Sequence, residues 1–129
     1  MSRRNGCRQT TTFGEFMVEQ RKLDEQGNLV QLWHEVDGVF HGQWQAWSSE
    51  GVLIYEANFE RGKQQGEARV WNEHGTLVRL CHFENGELHG HYWSCWENGN
   101  TKEEGEYRHG KRAAPYTWYS QEGVLIQSI

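Results

Sequence analysis

The chain has no long apolar run, and none of its 129 residues sit in a stretch able to cross a bilayer as a helix. Basic residues open MSRRNGCRQTTTFGEF without an apolar segment behind them, so this is not a signal peptide as it stands. The expected location is cytoplasmic, with a leader removed upstream left open. Three cysteines, Cys7, Cys81 and Cys95, make an odd count that speaks against a disulfide framework. No phosphate loop, dinucleotide fingerprint, nucleophile elbow or HExxH occurs. No cysteine has a base at a recognisable spacing, so the reading is of a non-enzyme without cofactor. Aliphatic residues are scarce, and the mean hydropathy of −0.92 is low for a compact globule.

Aromatic residues, by contrast, reach 13%, with seven tryptophans, on a chain of net charge −5. A disordered chain would lack them. A single-layer sheet reconciles both facts, because large amphipathic rings can cover a sheet that has little interior.

The sequence is organised by a period. Gly38, Gly62, Gly86 and Gly110 are 24 positions apart, and Gly51, Gly75, Gly99 and Gly123 keep the same step. So do Phe59, Phe83 and Tyr107, and so do Gly42, Gly66 and Gly90 until Ala114 breaks that column. A fixed period in the twenties marks a repeat array. Within one copy, QWQAWSSE and VLIYEANFER are runs of strand length bounded by glycine. Each unit reads as strand, turn (48–51), strand, turn (60–66). No helix fits between, so the strands pair antiparallel in an all-β, elongated, single-layer β-meander of 24-residue hairpin repeats.

The pattern G-x-x-x-G, an aromatic pair, N/E-G, an apolar residue and a final aromatic resembles the MORN-repeat-variant family. Its clearest copies are FENGELHGHYWSCWENG (83–99) and FERGKQQGEARVWNEHG (59–75), and the resemblance runs from about Gly27 onward. It implies an extended single-layer β-sheet. It also implies an antitoxin- or immunity-like role, since many bacterial members serve as such components.

The domain reading is a flexible tail over 1–12 and one repeat domain over 13–129. A degenerate capping unit spans 13–36, followed by repeats at 37–59, 60–83, 84–107 and 108–129. Terminal repeats are expected to be atypical. EFMVEQRKLDEQ reads as a strand or one short helix turn. Arg3, Arg4 and Arg8 make the tail basic, a solvated end or an arm for an acidic partner. Pro115 is placed at the start of the last copy's first strand. VLIQSI reads as an apolar edge strand, open to homodimerisation or blunted by twist.

Alternation puts Trp44 and Ala46 on one face and Gln45 and Trp47 on the other. In the return strand it groups Leu53, Tyr55, Ala57 and Phe59, with Ile54 and Glu56 opposite. One column runs Trp44, Ala68, Tyr92, Tyr116, another Trp47, Trp71, Cys95, Tyr119, each stepping by about 10 Å. The candidate partner-binding residues are Trp44, Trp47, Trp71, Tyr92, Trp93, Trp96, Tyr116 and Tyr119.

Seven histidines invite a metal reading, best at the pair His89 and His91 with His82 upstream, but no third ligand at metal spacing is evident. His41 and His89 share a repeat position, and a structural turn role explains them more simply. A hairpin register summing to 176 would set Cys81 opposite Cys95; two reduced thiols are the favoured reading. Only Lys102, Arg108, Lys111 and Arg112 form a basic group, too little for nucleic acid or an anionic membrane on an acidic chain. The residues alone support a protein-binding module, and rings mixed with carboxylates suggest a partner with a basic cleft; that this partner is a toxin or effector is what the resemblance implies. A self-assembling scaffold and a glycan-binding module are the alternatives.

Overall fold

The structure, a computed structural model, describes residues 7–13 and 17–129. Every described element is a strand. They are β1 (Cys7–Phe13), β2 (Met17–Leu23), β3 (Leu29–Val36), β4 (Val39–Phe40), β5 (Gly42–Trp47), β6 (Leu53–Glu60) and β7 (Lys63–Gln64). They continue as β8 (Gly66–Trp71), β9 (Leu77–Glu84), β10 (Glu87–Leu88), β11 (Gly90–Cys95), β12 (Thr101–Arg108), β13 (Lys111–Tyr119) and β14 (Leu125–Ser128). All fourteen join one open antiparallel sheet in the order β1-β2-β3-β5-β6-β8-β9-β11-β12-β13-β14. The pairs β4, β7 and β10 extend β3, β6 and β9. This is the all-β meander of hairpins that the period predicts.

Where a flexible tail was expected through residue 12, residues 7–13 form β1 and pair along β2, from Cys7 with Leu23 to Phe13 with Met17. Its three successive β-branched threonines, Thr10 to Thr12, suit a strand. Arg3 and Arg4 lie outside the described residues. The segment that sequence left between strand and helix turn is strand from Met17 to Leu23.

Each repeat uses two kinds of turn. At the first, Ser48 and its equivalents accept the amide three residues on, Gly51 to Ser48 at 3.0 Å and Gly75 to Asn72 at 3.0 Å. A short polar side chain completes it: Asn72 Oδ1 accepts from His74 N and Thr76 N at 2.9 and 3.0 Å. Asp24 does the same for Gln26 and Asn28, and the Asn28 amide lowers its carboxyl pKa. The second turn is a two-residue reversal with both φ positive, as at Arg61 (52°) and Gly62 (83°). That geometry matches the twist of the strands and favours Asn-Gly, which stands at Asn85–Gly86. The glycine amide of this turn reaches back one repeat: Gly62 to Phe40 O, Gly86 to Gln64 O and Gly110 to Leu88 O, at 2.8–2.9 Å.

The third glycine column is not in a turn. Gly66 follows the end of β7, where the register against β6 slips between Gln64–Phe59 and Val70–Tyr55. Gly42, Gly66 and Gly90 occupy the resulting bulge with φ of 85°, 85° and 105°. In the last copy the bulge leaves Ala114 and Pro115 between Ala113, paired with Glu106, and Tyr116, paired with Gly105. Pro115 therefore sits inside β13, at a point where no ladder bond needs its missing N–H.

A second bulge changes a face assignment. Ala46 pairs with Tyr55 but Trp47 pairs with Leu53, so Ile54 is the extra residue. Leu53 thus sides with Trp47, not with Tyr55, Ala57 and Phe59 as simple alternation predicts.

The buried centre lies on one face. Ala57, Ala68 and Cys81 are 1%, 3% and 6% exposed, beneath Tyr55, Phe59, Phe83, Leu88 and Tyr92. Small residues form the floor, and rings from neighbouring strands close over it.

Candidate functional site

The sheet sorts its side chains. One face, here the ring face, carries Trp33, Trp44, Ala57, Ala68, Cys81, Tyr92, Gly105 and Tyr116 in one row across the strands. The opposite face carries Glu19, Arg21, Glu56, Glu67, Arg69, His91, Glu104 and Glu106. There Arg21 pairs with Glu19 at 2.7 Å, Arg69 with Glu67 at 3.0 Å and His91 with Glu104 at 3.3 Å. The expected mixture of rings and carboxylates on one face is therefore largely separated.

Two ring clusters stand on the ring face. In the first, Trp33 stacks on Trp44 at 6.3 Å between centroids, and Trp44 meets Tyr55 edge-on at 5.6 Å. The Arg8 guanidinium lies 5.6 Å from the Trp33 ring and pairs with Glu35 at 3.2 Å. Trp33 Nε1 donates to the same carboxylate at 2.8 Å.

In the second cluster Tyr92, Tyr107, Tyr116 and Trp118 follow one another at 5.4, 5.7 and 4.7 Å. Arg112 lies 5.2–5.7 Å from the last three rings. Tyr116 is fully buried (0% exposed), and its hydroxyl donates to Glu103 at 2.7 Å. Burial first, and then the Glu103 carboxylate, push its phenol far above the ordinary 10.0.

Between the clusters lies a saddle. A cavity of 190 Å³ is lined by Tyr55, Gln64, Ala68, Val70, Arg79, Cys81, Phe83, Leu88 and Tyr92. It adjoins an open groove of 710 Å³ that shares Tyr55, Val70 and Arg79 and runs to Trp71, Glu73, His74 and Glu97. Gln64 donates to Tyr55 Oη at 2.9 Å. Burial raises the pKa of Tyr55, Tyr92 and the Cys81 thiol, which keeps the thiol protonated and unreactive. Arg79 is exposed, and no described carboxylate comes within ion-pair distance of it.

The eight candidate contact residues do not converge. Trp44 and Tyr92 share the ring face, half-buried. Tyr116 shares it too, but its complete burial removes it as a contact residue. Trp93 projects from the other face, where Nε1 donates to Thr101 Oγ1 at 3.2 Å. Trp47, Trp71 and Tyr119 end their strands beside the turns. Trp96 lies in a turn, donating to Tyr119 O at 3.0 Å beneath Lys102. Trp33, Tyr55, Trp118 and Arg79 are not among the contacts the sequence suggests, and Arg8 is there only as part of a basic arm. For Tyr55 and Arg79 the available signal was the 24-step column Gln31, Tyr55, Arg79, Glu103, of which those two line the groove.

The two cysteines sit on opposite faces. Trp93 pairs with Leu80, which sets Cys81 beside Tyr92, while Cys95 pairs with Thr101 and donates weakly to Leu77 O at 3.7 Å. Both are free thiols. The repeated histidines hold turns: His41 Nδ1 accepts from Arg61 N at 3.5 Å and His89 Nδ1 from His109 N at 3.1 Å. Gln65 Oε1 does the same for Asn85 N at 2.9 Å. Among the described residues no three His, Cys, Asp or Glu side chains gather as a metal site, and no helix is long and apolar enough to cross a membrane.

No curated protein and no solved structure matches the chain. Repeats of the MORN variant type are in general protein- or membrane-binding modules and non-enzymatic. The family profile described as MORN repeat variant matches this chain twice, over residues 40–61 and 64–85, each match holding the turn at Gly51 or Gly75 and ending in the two-residue turn at Arg61 or Asn85.

Proposed function

We propose that the chain is a non-catalytic protein-binding module that presents its ring face to a partner protein and neutralises it by contact, as antitoxin and immunity proteins do. The observation that supports this reading is the ring face itself. Trp33, Trp44, Tyr55 and Tyr92 are half-buried on a sheet with no second layer among the described residues. Rigid rings and arginines of this kind anchor interfaces at low entropic cost. The basic-cleft partner was inferred from carboxylates among the rings. With the carboxylates mostly on the other face, the ring face suits a partner surface that is apolar and partly acidic.

The test is a paired pull-down from the native cell using tagged wild type and the Trp44→Ala/Tyr55→Ala variant, with circular dichroism to check the fold. The expected outcome is one stoichiometric partner that the variant loses, and whose activity the purified wild type suppresses. A partner retained equally by the folded variant would move the contact off this face. A partner whose activity is unaffected would remove the neutralising role.

A second reading, self-assembly through a sheet edge, is favoured by the exposure of Val124, Leu125, Ile126 and Ile129 at 50–64%. Light scattering over a concentration series decides it, since edge pairing requires mass to rise with concentration.

A further inference from the structure

We propose that the saddle is a carboxylate subsite, in which Arg79 receives an Asp or Glu side chain presented on an extended segment of the partner protein. This deepens the ring-face reading and rests on it. Each flanking cluster matches its arginine with its own glutamate: Arg8 with Glu35 at 3.2 Å, and Arg112 with Glu103 at 3.9 Å. Arg79 stands between the same kinds of ring, Tyr55 and Tyr92, and no described glutamate comes within ion-pair distance of it. The nearest acid along its own row, Glu103, is already engaged by the Tyr116 hydroxyl at 2.7 Å.

The repeat does not require a cation at this position. The equivalent residues are Gln31, Tyr55 and Glu103, so the hairpin folds with a neutral, aromatic or acidic side chain there. A guanidinium forks two parallel donors toward a carboxylate, and partial desolvation by rings strengthens that pair beyond an ordinary surface bridge. The 190 Å³ cavity takes a side chain, and the adjoining 710 Å³ groove has room for the backbone that carries it. Glu73 and Glu97 also line that groove. They repel a second acid, so the favoured segment has one acidic residue at Arg79 flanked by apolar residues, and is not acidic throughout.

The experiment pans a phage-displayed library of random dodecapeptides on the immobilised full chain, and in parallel on Arg79→Gln, Arg79→Glu and Tyr55→Ala. Arg79 is exposed, and circular dichroism confirms that the variants fold. Wild type is expected to select peptides with a single Asp or Glu beside aromatic or aliphatic residues. Those peptides should bind Arg79→Gln about tenfold more weakly, the loss of one charge-assisted pair. Arg79→Glu should select Lys or Arg instead. Peptides without an acid that bind Arg79→Gln unchanged but lose affinity for Tyr55→Ala would overturn the carboxylate subsite and leave the ring-face reading standing. Peptides indifferent to both variants, or no peptide above a blank surface, would count against both.

Discussion

A methyl group does not fit at Gly105: a Cβ there would lie 2.2 Å from Tyr116 Cδ2. The bare backbone lets the ring lie flat across its strand partner, and the ring in turn covers a position that would otherwise be open to water. Tyr116 is thus held by packing and by its bond to Glu103. Replacing it with Phe should cost about 2 kcal/mol at neutral pH, seen as a lower Tm, from loss of a hydrogen bond to a charged group. Its pH dependence carries the sign of the raised phenol pKa. The folded tyrosine keeps its proton when the unfolded one, near the ordinary 10.0, has lost it. Stability is complete below that pH and falls above it. The wild type should therefore lose more stability than Tyr116→Phe in an alkaline titration of Tm; parallel curves would show the phenol is not so perturbed. The sequence placed Tyr116 in the right column, yet burial there depends on Gly105, which lies outside the three glycine columns, in the series Trp33, Ala57, Cys81, Gly105. Nothing local marks that pair.

Turns decide the strand ends, and their chemistry was readable wherever glycine recurs. The side-chain acceptor completing each first turn varies: Asp24, Ser48, Asn72, Asn98 and Ser120 all serve. Asn72→Ala removes two acceptor contacts at once and should lower stability by about 1 kcal/mol, measured by urea unfolding. Unchanged stability would mean water replaces the carboxamide fully. What alternation missed were the bulges. One extra residue at Ile54 carried Leu53 to the other face, and the slip after β7 turned a supposed turn glycine, Gly66, into a bulge residue. A period-2 reading holds only while both strands advance together. For the same reason Trp47 and Trp71 were readable as tryptophans at fixed spacing but not as strand-end residues apart from Trp44.

Across the whole molecule, the alternation that gives the sheet two faces was legible, but the segregation of rings from carboxylates was not, since the sequence suggests the two mixed. Location of the saddle was not, because it arises where three consecutive strands contribute Ala57, Ala68 and Cys81 between larger neighbours. That is a size pattern, not a hydropathy pattern. The bonds from Gly62, Gly86 and Gly110 to the preceding repeat give the sheet a further property. Every unit is fastened to the one before it by the same contacts, and residue n + 24 takes the place of residue n. Joining Phe59 directly to Glu84, with residues 60–83 excised, should therefore give a cooperatively folded chain one hairpin shorter, by circular dichroism and thermal melting. Cutting out 12 residues instead should unfold it, since one strand would then meet its neighbour with reversed direction. Length in this protein is quantised, and a contact surface built on it can be extended or shortened by whole repeats without being redesigned.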